Sequence, residues 1–176
     1  RSGGYYLNSG GKPDAAWWQR QEDNLDLGAI EANVSVRFGL ITAFCDHRAL
    51  PLSQGLYRKD INLSFDRLQH DTLDIATPVA ILHQSRDGQW FYAASSLTRG
   101  WVRAACVAVC TLDIIKSSLW APKIVVITAA KADLYADEGL RACLGRIRMG
   151  SKLPLEDDGL YAGSRSSVLT LQSAGL

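Results

Sequence analysis

The run Thr77-Pro78-Val79-Ala80-Ile81-Leu82-His83-Gln84 and the run Gln89-Trp90-Phe91-Tyr92-Ala93-Ala94 are separated only by Ser85-Arg86-Asp87-Gly88. Asp and Gly both tolerate positive φ, so Asp-Gly between two segments rich in branched and aromatic residues is a strong hairpin signal. A second turn at 95–99 leads to Gly100-Trp101-Val102-Arg103, and a tight turn leads on to Val107-Ala108-Val109-Cys110. Upstream, Val34 to Cys45 alternates loosely and is rich in β-branched and aromatic residues. From Asp46-His47-Arg48-Ala49-Leu50-Pro51-Leu52 to about Leu73 the chain then makes a long excursion with few strand signals. Short strands, one long loop after the first and hairpins after that describe a small barrel.

The same texture returns downstream. Thr111 to Leu119 reads as a connecting helix: Thr111 can cap it, Asp113 sits in its first turn, Ile114, Ile115 and Leu119 give an apolar stripe, and Pro122 stops it. Strands are expected at 124–130, 141–148, 153–155 and 168–171. Ile41-Thr42-Ala43-Phe44-Cys45-Asp46 is echoed by Ile127-Thr128-Ala129-Ala130-Lys131-Ala132-Asp133, each opening a loop after a strand. At the other end, residues 1–12 are rich in Gly, Ser, Asn and Tyr and read as an extended arm. Pro13-Asp14-Ala15-Ala16-Trp17-Trp18-Gln19-Arg20-Gln21-Glu22 reads as a helix, with Pro in its first turn and the two Trp as packing anchors. The expected fold is mainly β: an N-terminal arm and helix (1–35), a first small barrel (36–110), a linking helix (111–121) and a second, incomplete barrel (122–176).

Composition bounds the function classes. The 176 residues are 47% apolar and 21% charged, with 19 basic against 18 acidic side chains and a net charge of +1. This leaves no sustained field for nucleic acid or anionic lipid. The longest apolar runs, such as Cys106–Cys110, are too short to span a bilayer. Five Trp, six Tyr and four Phe along the chain argue against disorder. The chain opens at Arg1-Ser2-Gly3-Gly4 without an export signal, which is expected to have been removed or to lie upstream.

The four cysteines Cys45, Cys106, Cys110 and Cys143 fit neither a dense disulfide framework nor a zinc ribbon. Cys106 and Cys110 read as small core residues. Cys45 and His47 would share a strand face, but no third metal ligand is near them, and nothing marks Cys45 as a stabilised thiolate. No metal or other cofactor is expected. The acidic run Glu156-Asp157-Asp158-Gly159 reads as a solvated turn.

Five short motifs resemble, in order, a known family. They are Arg48-Ala49-Leu50-Pro51, Phe65-Asp66-Arg67-Leu68-Gln69, Thr77-Pro78-Val79, Ser85-Arg86-Asp87-Gly88-Gln89-Trp90 and Gly100-Trp101-Val102. Together they look like the first bacterial SH3-type domain of NlpC-type cell-wall cysteine peptidases. Residues 1–35 resemble the N-terminal segment of those proteins. Residues 124–155 resemble, more loosely, their second SH3-type domain. Arg103 stands where the family usually has Pro after Gly-Trp-Val.

The resemblance implies two SH3-like barrels ahead of a papain-like domain whose Cys and His hydrolyse γ-D-glutamyl–diamino acid bonds in peptidoglycan stem peptides. The family's Asp-Cys-Ser nucleophile motif does not occur in this sequence, and His47, His70 and His83 all fall within the first barrel. No catalytic residue therefore carries over, and the catalytic domain is expected beyond Leu176 or lost. What remains is a non-catalytic substrate-positioning or wall-binding portion in the cell envelope. Its expected partners are a peptidoglycan stem peptide and a catalytic domain in the same parent chain, with no nucleic acid and no membrane span. The alternative is a stand-alone SH3-type interaction module or a catalytically dead relative.

Binding is expected on the barrel rim, where an acid can pair with the peptide amine and an aromatic wall can cover alanyl methyl groups. Tyr57, Asp60, Asp66, Arg99 and Trp101 are the candidate contacts, with Phe65 and Trp90 beside them. Five of them also have a plainer reading: Trp101 and Trp90 as core, Asp66 as the cap of a turn, and Tyr57 and Asp60 as solvated loop residues.

Overall fold

The computed structural model describes residues 4–155 except 60 and 138. Asp60, the acidic run at 156–159 and the strand expected at 168–171 lie outside the described residues. Two α-helices and thirteen strands are present among those described, so the chain is mainly β. Its contacts gather into two compact units. One comprises residues 1–36, 45–72 and 80–105, and the other 37–44, 73–79 and 106–176. The boundaries read from sequence run linearly along the chain, whereas these units interleave. The described pairings close no barrel in either unit.

In the first unit β1 (Tyr6–Leu7) pairs antiparallel with β4 (Leu56–Tyr57). Helix α1 (Ala15–Leu25) starts where Asp14 accepts a hydrogen bond from Trp17 N at 2.7 Å. Asp14 is thus the cap and Pro13 lies just outside, a one-residue shift from the sequence reading. Trp17 is buried against Leu56 and Leu68, its Nε1 donates to Gln54 at 3.2 Å, and Trp18 meets it edge-on at 4.8 Å. The Trp pair thus fastens the helix to the loop at 49–56.

The main strands of this unit are β3 (Cys45–Arg48), β5 (Gln69–Leu73), β6 (Pro78–Gln84), β7 (Trp90–Ala94) and β8 (Arg99–Arg103). They are hydrogen-bonded in the order β5-β3-β8-β7-β6. The Asp-Gly hairpin forms as expected, with Gly88 at φ +70°. Asp87 holds its turn through Ser85 Oγ at 2.6 Å and Gln89 N at 2.9 Å. Asn24 of α1 clamps the same turn: it donates to the Asp87 carboxylate at 3.2 Å and accepts from Asp87 N at 3.1 Å. Burial pushes the Asp87 carboxyl up, but the hydrogen bonds from Ser85, Gln89 and Asn24 outweigh it and leave the group below the ordinary carboxylate range.

The second unit contains β2 (Arg37–Ile41) paired with β9 (Val107–Cys110), helix α2 (Leu112–Leu119), β10 (Ile124–Val126) paired with β13 (Lys152–Pro154), and β11 (Lys131–Tyr135) paired with β12 (Cys143–Arg148). Thr111 caps α2, accepting from Ile114 N, and Ile115 is its buried residue. Ile75, Ala76, Leu134, Ile147 and Leu153 form the core. Arg148 pairs with Asp74 at 2.9 Å and lies 4.8 Å over the ring of Phe44. The internal echo has a structural counterpart: Ile41 ends β2 shortly before β3, and Ile127 follows β10 shortly before β11. No helix among the described residues is long and apolar enough to cross a membrane.

Candidate functional site

One end of the first unit's sheet collects its loops. Strand β8 runs antiparallel to β3 with Arg48 opposite Trp101, and antiparallel to β7 with Arg99 opposite Ala94. The end of β3, the turn at 95–98 and the start of β8 therefore lie at one sheet end. Ala49 N donates to Leu68 O at 2.7 Å, which brings the start of β5 to the same end. Arg99 is exposed there and Leu97, at the turn, is 81% exposed. The sequence reading looks for its rim between the long loop and the hairpin turns, and one of each meets at this end.

The candidate contacts do not all belong to it. Trp101 is an interior residue: it is 3% exposed, between the equally buried Gly100 and Val102, with Tyr92 at 5.4 Å and His83 at 6.0 Å. Tyr57, expected to be exposed in mid-loop, is 9% exposed because the N-terminal arm pairs with it through Tyr6. Trp90 is also buried, and the guanidinium of Arg103 covers its ring at 4.8 Å while bonding Ser53 Oγ. Arg103, the departure from the family's usual Pro, thus ties β8 to the long loop.

Asp66 is turned inward rather than toward solvent. Its Oδ2 accepts from Arg48 Nη2 at 2.7 Å, and its Oδ1 accepts from Leu56 N at 3.0 Å and Leu68 N at 2.9 Å. The two side chains are 4% and 11% exposed for Arg48 and Asp66 respectively. Arg48 Nη2 also donates to Gln54 O at 3.2 Å, and Nη1 lies 3.5 Å from Asp46. The turn-cap reading of Asp66 is the one observed, enlarged by a buried ion pair that closes the base of the long loop. Sequence reasoning missed Arg48 as its partner, because a charge 18 residues away carries no local sign of burial.

Beside the polar Ser53, Asn62 and Ser64, the long loop exposes apolar and cationic side chains. Leu63 and Phe65 are each 64% exposed, and Arg58, Lys59 and Arg67 are exposed around them. Successive turns hold this segment: Ile61 N donates to Arg58 O at 2.9 Å, Phe65 N to Asn62 O at 3.0 Å, and Ser64 N to Asn62 Oδ1 at 3.0 Å.

The cysteines and histidines compose no reactive pair. Cys45 and His47 are buried on β3, as the alternation required, and Cys143 is exposed. Burial pushes the Cys110 thiol up, away from the thiolate a nucleophile needs. Among the described residues no group of three or more His, Cys, Asp or Glu is placed to hold a metal ion.

His47 is fully buried; its Nε2 faces Ala93 O at 3.1 Å and its Nδ1 has no hydrogen-bond partner. Burial lowers its pKa below the ordinary value, outweighing the backbone contacts to Ala93 and Gly100. Gly100 is required beside it, since a Cβ there would meet Arg48 O at 2.7 Å and His47 Cδ2 at 2.9 Å. A His whose folded pKa is depressed takes up its proton first in the unfolded chain, so stability is full above about pH 6.5 and falls as pH drops toward the folded pKa. Asp87 adds a loss of the same sign at lower pH. Thermal melts across pH 8 to 4 are expected to show a first decline near pH 6, absent from His47→Gln.

The SH3 domain family of the SH3b1 type matches residues 57–103. An NlpC/P60 endopeptidase from Photobacterium damselae subsp. piscicida shares the fold over 88% of this chain, with a TM-score of 0.73 and 24% sequence identity. The match covers 35% of that protein, so this chain spans about a third of its neighbour's length. No curated protein matches the chain. The β7–β8 turn and half of the long loop lie inside the matched range.

Proposed function

We propose that this chain is the non-catalytic, wall-binding portion of an NlpC/P60-type hydrolase of the cell envelope. It would hold a peptidoglycan stem peptide for a catalytic domain elsewhere in the parent protein. The SH3b1-type match over 57–103 carries the reading, and the shared fold with an endopeptidase of the NlpC/P60 type supports it. The chain from residue 122 on is read as a second SH3-type module, with α2 leading into it.

Arg99, exposed at the rim, is read as the cation for a stem-peptide carboxylate, and Asp60, outside the described residues, as the acid for the peptide amine. Leu97 offers apolar cover for alanyl methyl groups. Co-sedimentation with purified peptidoglycan tests the reading. The chain is expected to pellet with the wall material, and Arg99→Ala is expected to weaken binding about tenfold by removing a charge-assisted hydrogen bond. Absence of wall binding by the wild-type chain overturns it.

A further inference from the structure

The stem-peptide reading takes Asp60 from the segment 58–67 and sets Phe65 beside it, but leaves unused the pairing of bulky apolar side chains with cations there. Leu63 and Phe65 project from consecutive turns, each 64% exposed, although large apolar side chains usually find cover. Cations surround them: Arg58, Lys59 and Arg67 are exposed, and Arg58 lies 5.7 Å over the ring of Tyr5. The sequence places two acids in the segment, Asp60 and Asp66. Asp66 is neutralised inside the fold by Arg48 at 2.7 Å, which leaves three cations against Asp60 alone. The same ion pair, with Asp66 bridging Leu56 N and Leu68 N, fastens the base of the loop. With its base fixed, the loop loses less ordering entropy when its tip docks.

We infer that this loop tip docks peripherally on an anionic lipid surface, with Leu63 and Phe65 entering the headgroup–acyl boundary and Lys59, Arg67 and Arg58 facing lipid phosphates. Charge complementarity selects an anionic partner, and the two bulky apolar side chains select one that can bury them. A hydrated wall polymer meets only the first requirement. The near-neutral net charge gives no long-range attraction, so the contact is short-range, reversible and salt-sensitive. Two apolar side chains and three cations make a weak anchor by themselves. Such an anchor would keep a wall-binding protein near the membrane side of the wall without a spanning segment. The inference goes beyond the wall-binding reading and does not depend on it.

Sedimentation with phosphatidylcholine vesicles, with and without phosphatidylglycerol, tests it on the whole chain. Binding is expected only with phosphatidylglycerol present. A cation near such a surface contributes about fivefold, so Lys59→Gln with Arg67→Gln should lower binding about twenty-five-fold. Leu63→Ser with Phe65→Ser should lower it about tenfold or more. All four side chains are exposed, so circular dichroism and the melting temperature should stay at wild-type values for both variants. If one variant misfolds, the other decides alone. No binding of the wild type to phosphatidylglycerol vesicles, or binding that both folded variants retain, overturns the proposal. So does a loop variant that loses peptidoglycan instead of vesicles. Arg99→Ala should leave vesicle binding intact, which separates failure here from failure of the wall-binding reading.

Discussion

Trp101→Ala is expected to unfold the first unit or lower its melting temperature by roughly 15 °C or more. The indole is 3% exposed and packed against Tyr92 and His83, at the centre of the strand that pairs with both β3 and β7. Truncation removes its transfer free energy and leaves a cavity between close-packed strands, a loss of about 3–5 kcal/mol. That is a large part of the roughly 5–15 kcal/mol that holds a domain together. Trp101→Phe keeps an aromatic partner for Tyr92 and should cost less. Thermal melting followed by near-ultraviolet circular dichroism checks both. A Trp101→Ala melt equal to wild type would place the indole outside the core.

Asp66→Asn is expected to destabilise the first unit by about 3–5 kcal/mol, although the two side chains are nearly isosteric. The amide oxygen can still accept from Leu56 N and Leu68 N. Its NH2 group, however, would replace the Oδ2 that faces Arg48 Nη2 at 2.7 Å, setting donor against donor and leaving a buried guanidinium without its main counter-charge. A partly exposed neighbour, Asp46 at 3.5 Å, replaces little of it. The effect should be strongly coupled. Arg48→Met with Asp66→Asn removes the stranded charge, so the double variant should be more stable than the sum of the single losses by about 1–3 kcal/mol. Urea unfolding of the four chains measures the coupling. Additive losses would mean that the pair carries no net interaction.

These two residues show what local sequence can reveal. The β6–β7–β8 hairpins were legible because their signals are short-range: an Asp-Gly turn, aromatic runs on either side, and a Gly-Trp-Val strand. Helix α2 was legible through Thr111 and Pro122. Strand β5, Gln69-His70-Asp71-Thr72-Leu73, was not, since its polar, half-exposed residues carry no strand pattern and only pairing with β3 makes it one. Likewise Lys131–Tyr135 read as a loop because its partner β12 supplies the ordering.

The rim was legible as a place more than as a set of residues. Its position follows from the hairpins, and Arg99 is exposed on it as expected. Tyr57 and Asp66 were drawn inward by contacts with the N-terminal arm and with Arg48, both far away in sequence. Phe65 stood among the rim candidates, whereas the exposed Leu63 had no distinguishing mark, because an aliphatic residue in a loop reads as buried or bare with equal ease.

The claim that this chain binds stem peptides at the rim is tested most directly by an amide chemical-shift titration with a tripeptide stem fragment. Saturable shifts confined to the 95–98 turn, Arg99 and the residues flanking Asp60 in sequence are expected, with no cleavage of the peptide. Unchanged shifts at a large excess of peptide, or shifts centred elsewhere on the chain, would contradict it.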